Sequence, residues 1–136
     1  MKMEKRQPLQ GKSLREFVLD IEDIESEEVT VKQWGNRKFL VKSMTGEERD
    51  KMFKASMDDK GEKIDSEKLT VNIIIFTTRD PHTKELIFRP EDIAILKKKN
   101  AAALEKLSAV ASRLSGIGEE AVTEKAKNSE AAIQSE

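Results

Sequence analysis

The residues best suited to chemistry in this 136-residue chain are one histidine and a few adjacent carboxylates, and there is no cysteine. His82 follows Pro81 in the run Thr78-Arg79-Asp80-Pro81-His82-Thr83, which reads as a turn. A proton shuttle or metal site needs a second group at hydrogen-bond or ligand spacing, and a lone imidazole brings none. Without cysteine there are no disulfides, thiolate nucleophiles or thiolate zinc sites. The acid pair Asp58-Asp59 lies in a polar loop. Glu91-Asp92 stands beside Pro90 at a helix start, where the positive end of the helix dipole accounts for it. No phosphate-binding Gly-rich loop or nucleophile elbow occurs. Lys97-Lys98-Lys99 could meet phosphate, but cations also suit the C-terminal end of a helix. The expectation is a non-enzymatic protein with no catalytic residue, cofactor or metal.

Binding is what remains, and the composition says what kind of body does it. A chain of this length makes one domain with one modest core. Aromatic residues are only 4%, so Leu, Ile, Val, Met and five Phe must pack it. Charged residues reach 38% against about 25% in ordinary soluble domains. Lys plus Arg (25) nearly balance Asp plus Glu (26), which argues against electrostatic capture of nucleic acid. No apolar run approaches the ~18 residues of a membrane helix, and no apolar h-region follows the basic start. A cytoplasmic protein with no membrane contact is expected.

Charge is arranged in blocks. Residues 1–12 hold Lys2, Lys5, Arg6 and Lys12 against Glu4, with Pro8 and Gly11 discouraging regular structure, and read as a flexible basic arm. From Ser13 to Thr30 the sign reverses, with seven acids facing only Arg15. Leu14, Phe17, Val18, Ile21 and Ile24 recur there at three- and four-residue steps, the spacing of one helical face. The acids keep that stripe soluble, and a short or partner-dependent helix is predicted. Phe17, Ile21 and Ile24, with Trp34 further on, are the candidate partner-binding residues.

Two strand-like runs follow, Glu28–Gln33 and Arg37–Ser43, apolar at Val29, Val31, Phe39 and Val41. Trp34-Gly35-Asn36 lies between them, and Gly35 and Asn36 tolerate the positive φ of a tight hairpin. Thr45 and Glu48 form a capping box opening a helix to about Met57 that buries Met52 and Phe53. A polar loop spans Asp58–Lys63. Leu69–Phe76 favours a strand by its β-branched residues, but its flanking Asp65, Ser66 and Glu67 favour a helix. Glu85–Phe88 reads as extended. Pro90 starts a helix burying Ile93 and Leu96, and Asn100 caps a last helix with a stripe of Leu104, Leu107, Val110, Ala111 and Leu114, stopped by Gly116. Residues 119–136 are too polar to build a core and read as a disordered charged tail. The domain proper is thus 13–118, in the α+β class: a small N-terminal β-hairpin followed by three to four helices.

The order of these pieces resembles the tail assembly chaperones of long-tailed phages and prophages. In that family an acidic-apolar lead runs into a "V-x-V-x-x-W-G" hairpin and an "S-x-T-G-x-E-R-D" helix start. Here the matching residues are Val29, Val31, Trp34, Gly35, Ser43, Thr45, Gly46, Glu48, Arg49 and Asp50. An "F-x-x-E-D" turn corresponds to Phe88, Glu91 and Asp92. The Ala-Leu-rich last helix corresponds to Ala101–Leu104, with "R-L-x-G" at Arg113, Leu114 and Gly116. The resemblance covers roughly residues 14–118. Gln33 stands where the family usually has Glu, the loop at 58–63 is unusually polar, and the basic arm has no family counterpart.

The resemblance implies a buried central helix at 69–76. It also implies binding to the tape-measure protein, assistance in engaging tail-tube protein, and absence from the finished tail. Two other classes compete. A small nucleic-acid-associated regulator would use the basic arm and the triple lysine, and would show salt-dependent DNA binding. A structural tail component would sediment as a stable ring.

Overall fold

The computed structural model describes residues 13–118. The arm at 1–12 and the tail at 119–136 lie outside the described residues. In chain order the elements are α1 (Leu14–Asp20), β1 (Ser26–Val31), β2 (Arg37–Lys42), α2 (Gly46–Ala55), α3 (Ser66–Thr77), β3 (Thr78–Arg79), α4 (Ile93–Leu96) and α5 (Ala101–Leu114). The fold is α+β, a three-stranded antiparallel sheet in the order β1-β2-β3 with helices against one face.

The hairpin forms because its turn residues permit it. A single 3-10 turn at Lys32–Trp34 leads into Gly35 (φ 74°) and Asn36 (φ 56°), both left-handed. That fixes the register Val31↔Arg37, Val29↔Phe39 and Glu27↔Val41. Because side chains alternate across a strand, Val29, Val31 and Val41 all face inward and are buried.

Two helix starts are closed by reciprocal capping boxes. Thr45 Oγ1 accepts from the Glu48 amide at 3.1 Å, while the Thr45 amide donates to Glu48 Oε1 at 3.0 Å. Ser13 and Glu16 repeat the arrangement at α1. Asp65 caps α3 by accepting from the Glu67 and Lys68 amides, and Asn100 caps α5 by accepting from that of Ala103.

Helix α3 is the spine. Leu69, Val71, Asn72, Ile73, Ile74, Ile75 and Thr77 are buried, so the helix is covered on nearly every side. Leu69, Ile73 and Ile74 join β1, β2, α2 and α5 residues in the main core. Val71 and Ile75 instead pack on Leu96 in a second, smaller cluster, bridged to the first by Phe76 and Phe88. Burial on all sides erases amphipathic periodicity, which is why the segment's own pattern could be taken for a strand. Leu107 and Ala111 of α5 are fully buried, and Leu104 and Ala103 lie beside them as the stripe requires.

Four expectations change. The run at 78–83 is not all turn, because Thr78 and Arg79 form β3 opposite Val41 and Leu40. Helix α2 ends at Ala55, and Met57 pairs with Ile64 across a small hairpin at 58–63. There Asp58 Oδ1 accepts from the Lys60 and Glu62 amides. The Pro90 helix is one 3-10 turn and one α turn, burying Leu96 but leaving Ile93 half-exposed. The lead's helix stops at Asp20, with Ile21 extended. No basic residue offsets the helix dipole in its last turn, and Glu22 and Asp23 follow immediately.

Candidate functional site

None of the residues suited to chemistry is assembled with others. His82 is exposed, and its backbone amide donates to Asp80 Oδ1 at 2.7 Å, an Asx turn that the Thr83 amide completes. Those two amides hold the Asp80 carboxyl below its ordinary pKa, the His82 contact most of all. The Asp58 carboxyl is lowered in the same way, chiefly by the Glu62 amide. Asp59 pairs with Lys68 Nζ at 3.2 Å. Asp92 Oδ2 accepts from the Arg89 amide at 2.8 Å, at the start of the Pro90 turn. Each of these carboxylates is therefore occupied by local backbone or by a surface lysine. Among the described residues no group of three or more His, Cys, Asp or Glu is placed to hold a metal ion. No helix among them is long and apolar enough to cross a membrane.

The feature that stands out is apolar. Helix α1 buries none of its residues. Leu14 is 71% exposed, Val18 58% and Ile21 45%, with Leu19 and Ile24 also open to solvent. Phe17 is half-buried but belongs to neither core cluster. Seven residues are too few for a helix that stands by propensity alone. The Ser13–Glu16 box gives this one a defined start. Leu14, Phe17, Val18 and Ile21 fall at i, i+3, i+4 and i+7, so they share one side of the segment. Asp20 flanks that side and Glu22 and Asp23 follow it, while Glu16 lies on the opposite side and accepts from the Ser13 amide.

Trp34 is placed differently. It is half-buried against the main core, and its ring meets that of Phe39 edge-on at 5.6 Å and 76°. An edge-to-face aromatic pair of this kind adds about 0.5–1.5 kcal/mol beyond its buried area. Ile24 precedes β1 and Trp34 follows it, so the six residues of the strand, about 17–20 Å, separate them. The fold brings Phe17, Ile21 and Ile24 onto one lead but sets Trp34 at the far end of the hairpin.

Sequence reasoning passed over Leu14, Val18 and Leu19 as binding candidates, although they are the most exposed apolar residues of the lead. For Leu14 and Val18 the helical spacing was the available signal; Leu19 lies off that stripe. A second surface was also missed: a groove of about 450 Å³ between α2 and the 58–63 hairpin, lined by Asp50, Phe53, Lys54, Met57, Gly61 and Ile64. No protein-family model, curated protein or solved structure matches the chain.

Proposed function

We propose that this protein is a tail assembly chaperone of a long-tailed phage or prophage, working in the bacterial host cytoplasm and leaving before the tail is finished. It holds the tape-measure protein through its acidic lead and helps that client engage the tail-tube protein. It carries out no catalytic step.

One observation carries the reading: Leu14, Val18, Leu19 and Ile21 are open to solvent on and just after a capped helix that buries none of its residues. Fully burying one such side chain is worth roughly 1.5–3 kcal/mol. Ordering a tethered segment on binding takes back a part of that gain. The surplus suits a complex that forms and is later released, as a chaperone's must. The carboxylates around the stripe keep it from collapsing on like segments and favour a client with basic flanks. The family resemblance supplies the identity of that client.

Co-expression with the tape-measure protein tests the proposal. The expected result is that the chaperone keeps the tape-measure protein soluble and co-purifies with it, and that neither is retained by purified DNA. Tape-measure protein that precipitates equally with and without this chain would contradict it.

A further inference from the structure

The sheet has a second face, and among the described residues none of its side chains belongs to either core cluster. Strand pairing places Glu28, Leu40, Arg79 and Leu86 in one row across the sheet, through the partners Glu28↔Leu40, Leu40↔Arg79 and Arg79↔Leu86. Directly opposed residues share a face, so this row looks outward, away from buried Val41 and Thr78. Lys38 and Lys42 lie two residues to either side of Leu40 and share that face. Leu40 is half-exposed and Leu86 is exposed. The result is a cationic face on which Arg79 stands between Leu40 and Leu86, Lys38 and Lys42 flank Leu40, and Glu28 is the one acid of the row. Neither Lys38 nor Lys42 takes part in any of the ion pairs among the described residues.

We propose that this outward face is the docking surface for the chain's own acidic lead, which closes over it when no client is bound. The consequence for the client rests on the function proposed above; the contact itself does not.

Charge and pattern match on both sides. The lead carries Asp20 beside Phe17 and Ile21, with Glu22 and Asp23 directly after them. The sheet face carries Lys38 and Lys42 on either side of Leu40, and Arg79 between Leu40 and Leu86. The attachment point also fits. Glu25 is fixed to the end of the sheet, its amide donating to Ser43 Oγ at 3.1 Å and its carbonyl accepting from the Ser43 amide at 2.8 Å. Residues 21–24 between α1 and that anchor span up to about 13 Å when extended. Two inter-strand steps, from β1 to β3, need only about 10 Å. The tether therefore lets α1 reach the middle of the sheet. A segment tethered this closely acts at an effective concentration in the millimolar range, so it outcompetes the same segment of another chain. Closure hides the stripe on the lead and the leucines of the sheet face together. A client that takes the lead must first displace it from the lysines, which makes client binding sensitive to salt.

A spin label reads this directly, because the chain has no cysteine to interfere. Val18→Cys is labelled with a nitroxide in the full isotope-labelled chain, with no client present. At low ionic strength the amide signals of Leu40 and Lys42 should be lost to broadening. They should return in about 1 M salt, where the Debye length is ~3 Å, and in a Lys38→Glu/Lys42→Glu version of the labelled chain. Both lysines are exposed, so the remaining amide spectrum reports that the fold is kept. Unbroadened Leu40 and Lys42 signals at low salt would overturn the proposal. So would broadening that appears when spin-labelled chain without isotope is mixed with isotope-labelled chain without spin label, since the occupant would then be a second copy. Because no tape-measure protein is present, either result leaves the client reading standing, and a failure of that reading leaves this one untouched.

Discussion

Arg113 Nη2 of α5 donates to Glu27 Oε1 of β1 at 2.7 Å, joining the last helix to the first strand across 86 residues of chain. The pair sits on the inward side of the sheet at its rim, where Glu27 follows the same alternation as Val29 and Val31. Both side chains are well exposed, at 60% and 43%. A double-mutant cycle on Glu27→Gln and Arg113→Gln should give a coupling of about 0.2–1 kcal/mol, fading as salt is raised. A larger, salt-independent coupling would mean that the pair is shielded from water.

The Thr45 cap carries more. Thr45→Ala removes the acceptor for the Glu48 amide and should lower stability by ~0.5–2 kcal/mol, read from the denaturant midpoint. Glu48→Ala removes only the reciprocal bond and should lower it less. An unchanged midpoint for Thr45→Ala would place the start of α2 elsewhere.

Hairpin, caps and α5 were legible in the sequence because each depends on neighbours in the chain. Gly35 and Asn36 announce positive φ, Thr45 and Glu48 announce a helix start, and Leu104, Leu107 and Ala111 repeat at helical steps. Strand β3 was not legible. Thr78-Arg79 is two residues long, and it exists because α3 delivers it beside Leu40 and Val41, nearly forty residues earlier in the chain. Helix α3 was ambiguous for the opposite reason, since burial on every side left no polar face to mark its period. Of the candidate site, the lead's apolar stripe could be read from spacing alone. The cationic row outside the sheet could not, because it needs the strand register.

Two buried polar groups test the core in opposite directions. Asn72 Nδ2 donates to Ala55 O at 3.2 Å and to Ser56 Oγ at 3.1 Å, and Ser56 Oγ in turn donates to Met52 O at 2.7 Å. Asn72→Ala strips that network and should cost about 1–3 kcal/mol in chemical denaturation. Thr78 is fully buried, yet its Oγ1 has no hydrogen-bond partner. Thr78→Val, nearly the same shape without the hydroxyl, should therefore raise stability by up to about 1–3 kcal/mol, read from the denaturant midpoint. A loss of stability in Thr78→Val would show that the hydroxyl is satisfied in solution.

Acid should act on the loops first. The Asp80 and Asp58 carboxyls are lowered from an ordinary value of 3.8 because backbone amides bond their charged forms. A carboxyl whose folded pKa is depressed adds stability above the unfolded value and loses it as pH falls through the lowered one. Both carboxyl resonances should therefore titrate below pH 3.8 in the folded protein, and Asp80→Asn should flatten the acid side of the stability profile. Titration of Asp80 at or above 3.8 would show that the Asx turn at His82 is open in solution.

The claim that matters most is that the lead holds the client. Replacing Val18 and Ile21 together by Ser changes two residues that belong to neither core cluster, so the melting point of the isolated protein should stay almost where it is. Tape-measure protein co-expressed with this version should no longer co-purify, and charge reversal of Glu22, Asp23 and Glu25 to Lys should weaken retention in the same way. Retention measured side by side with melting decides it: lost retention on an intact fold is the predicted result, and unaltered retention, or a loss that follows unfolding, contradicts the account.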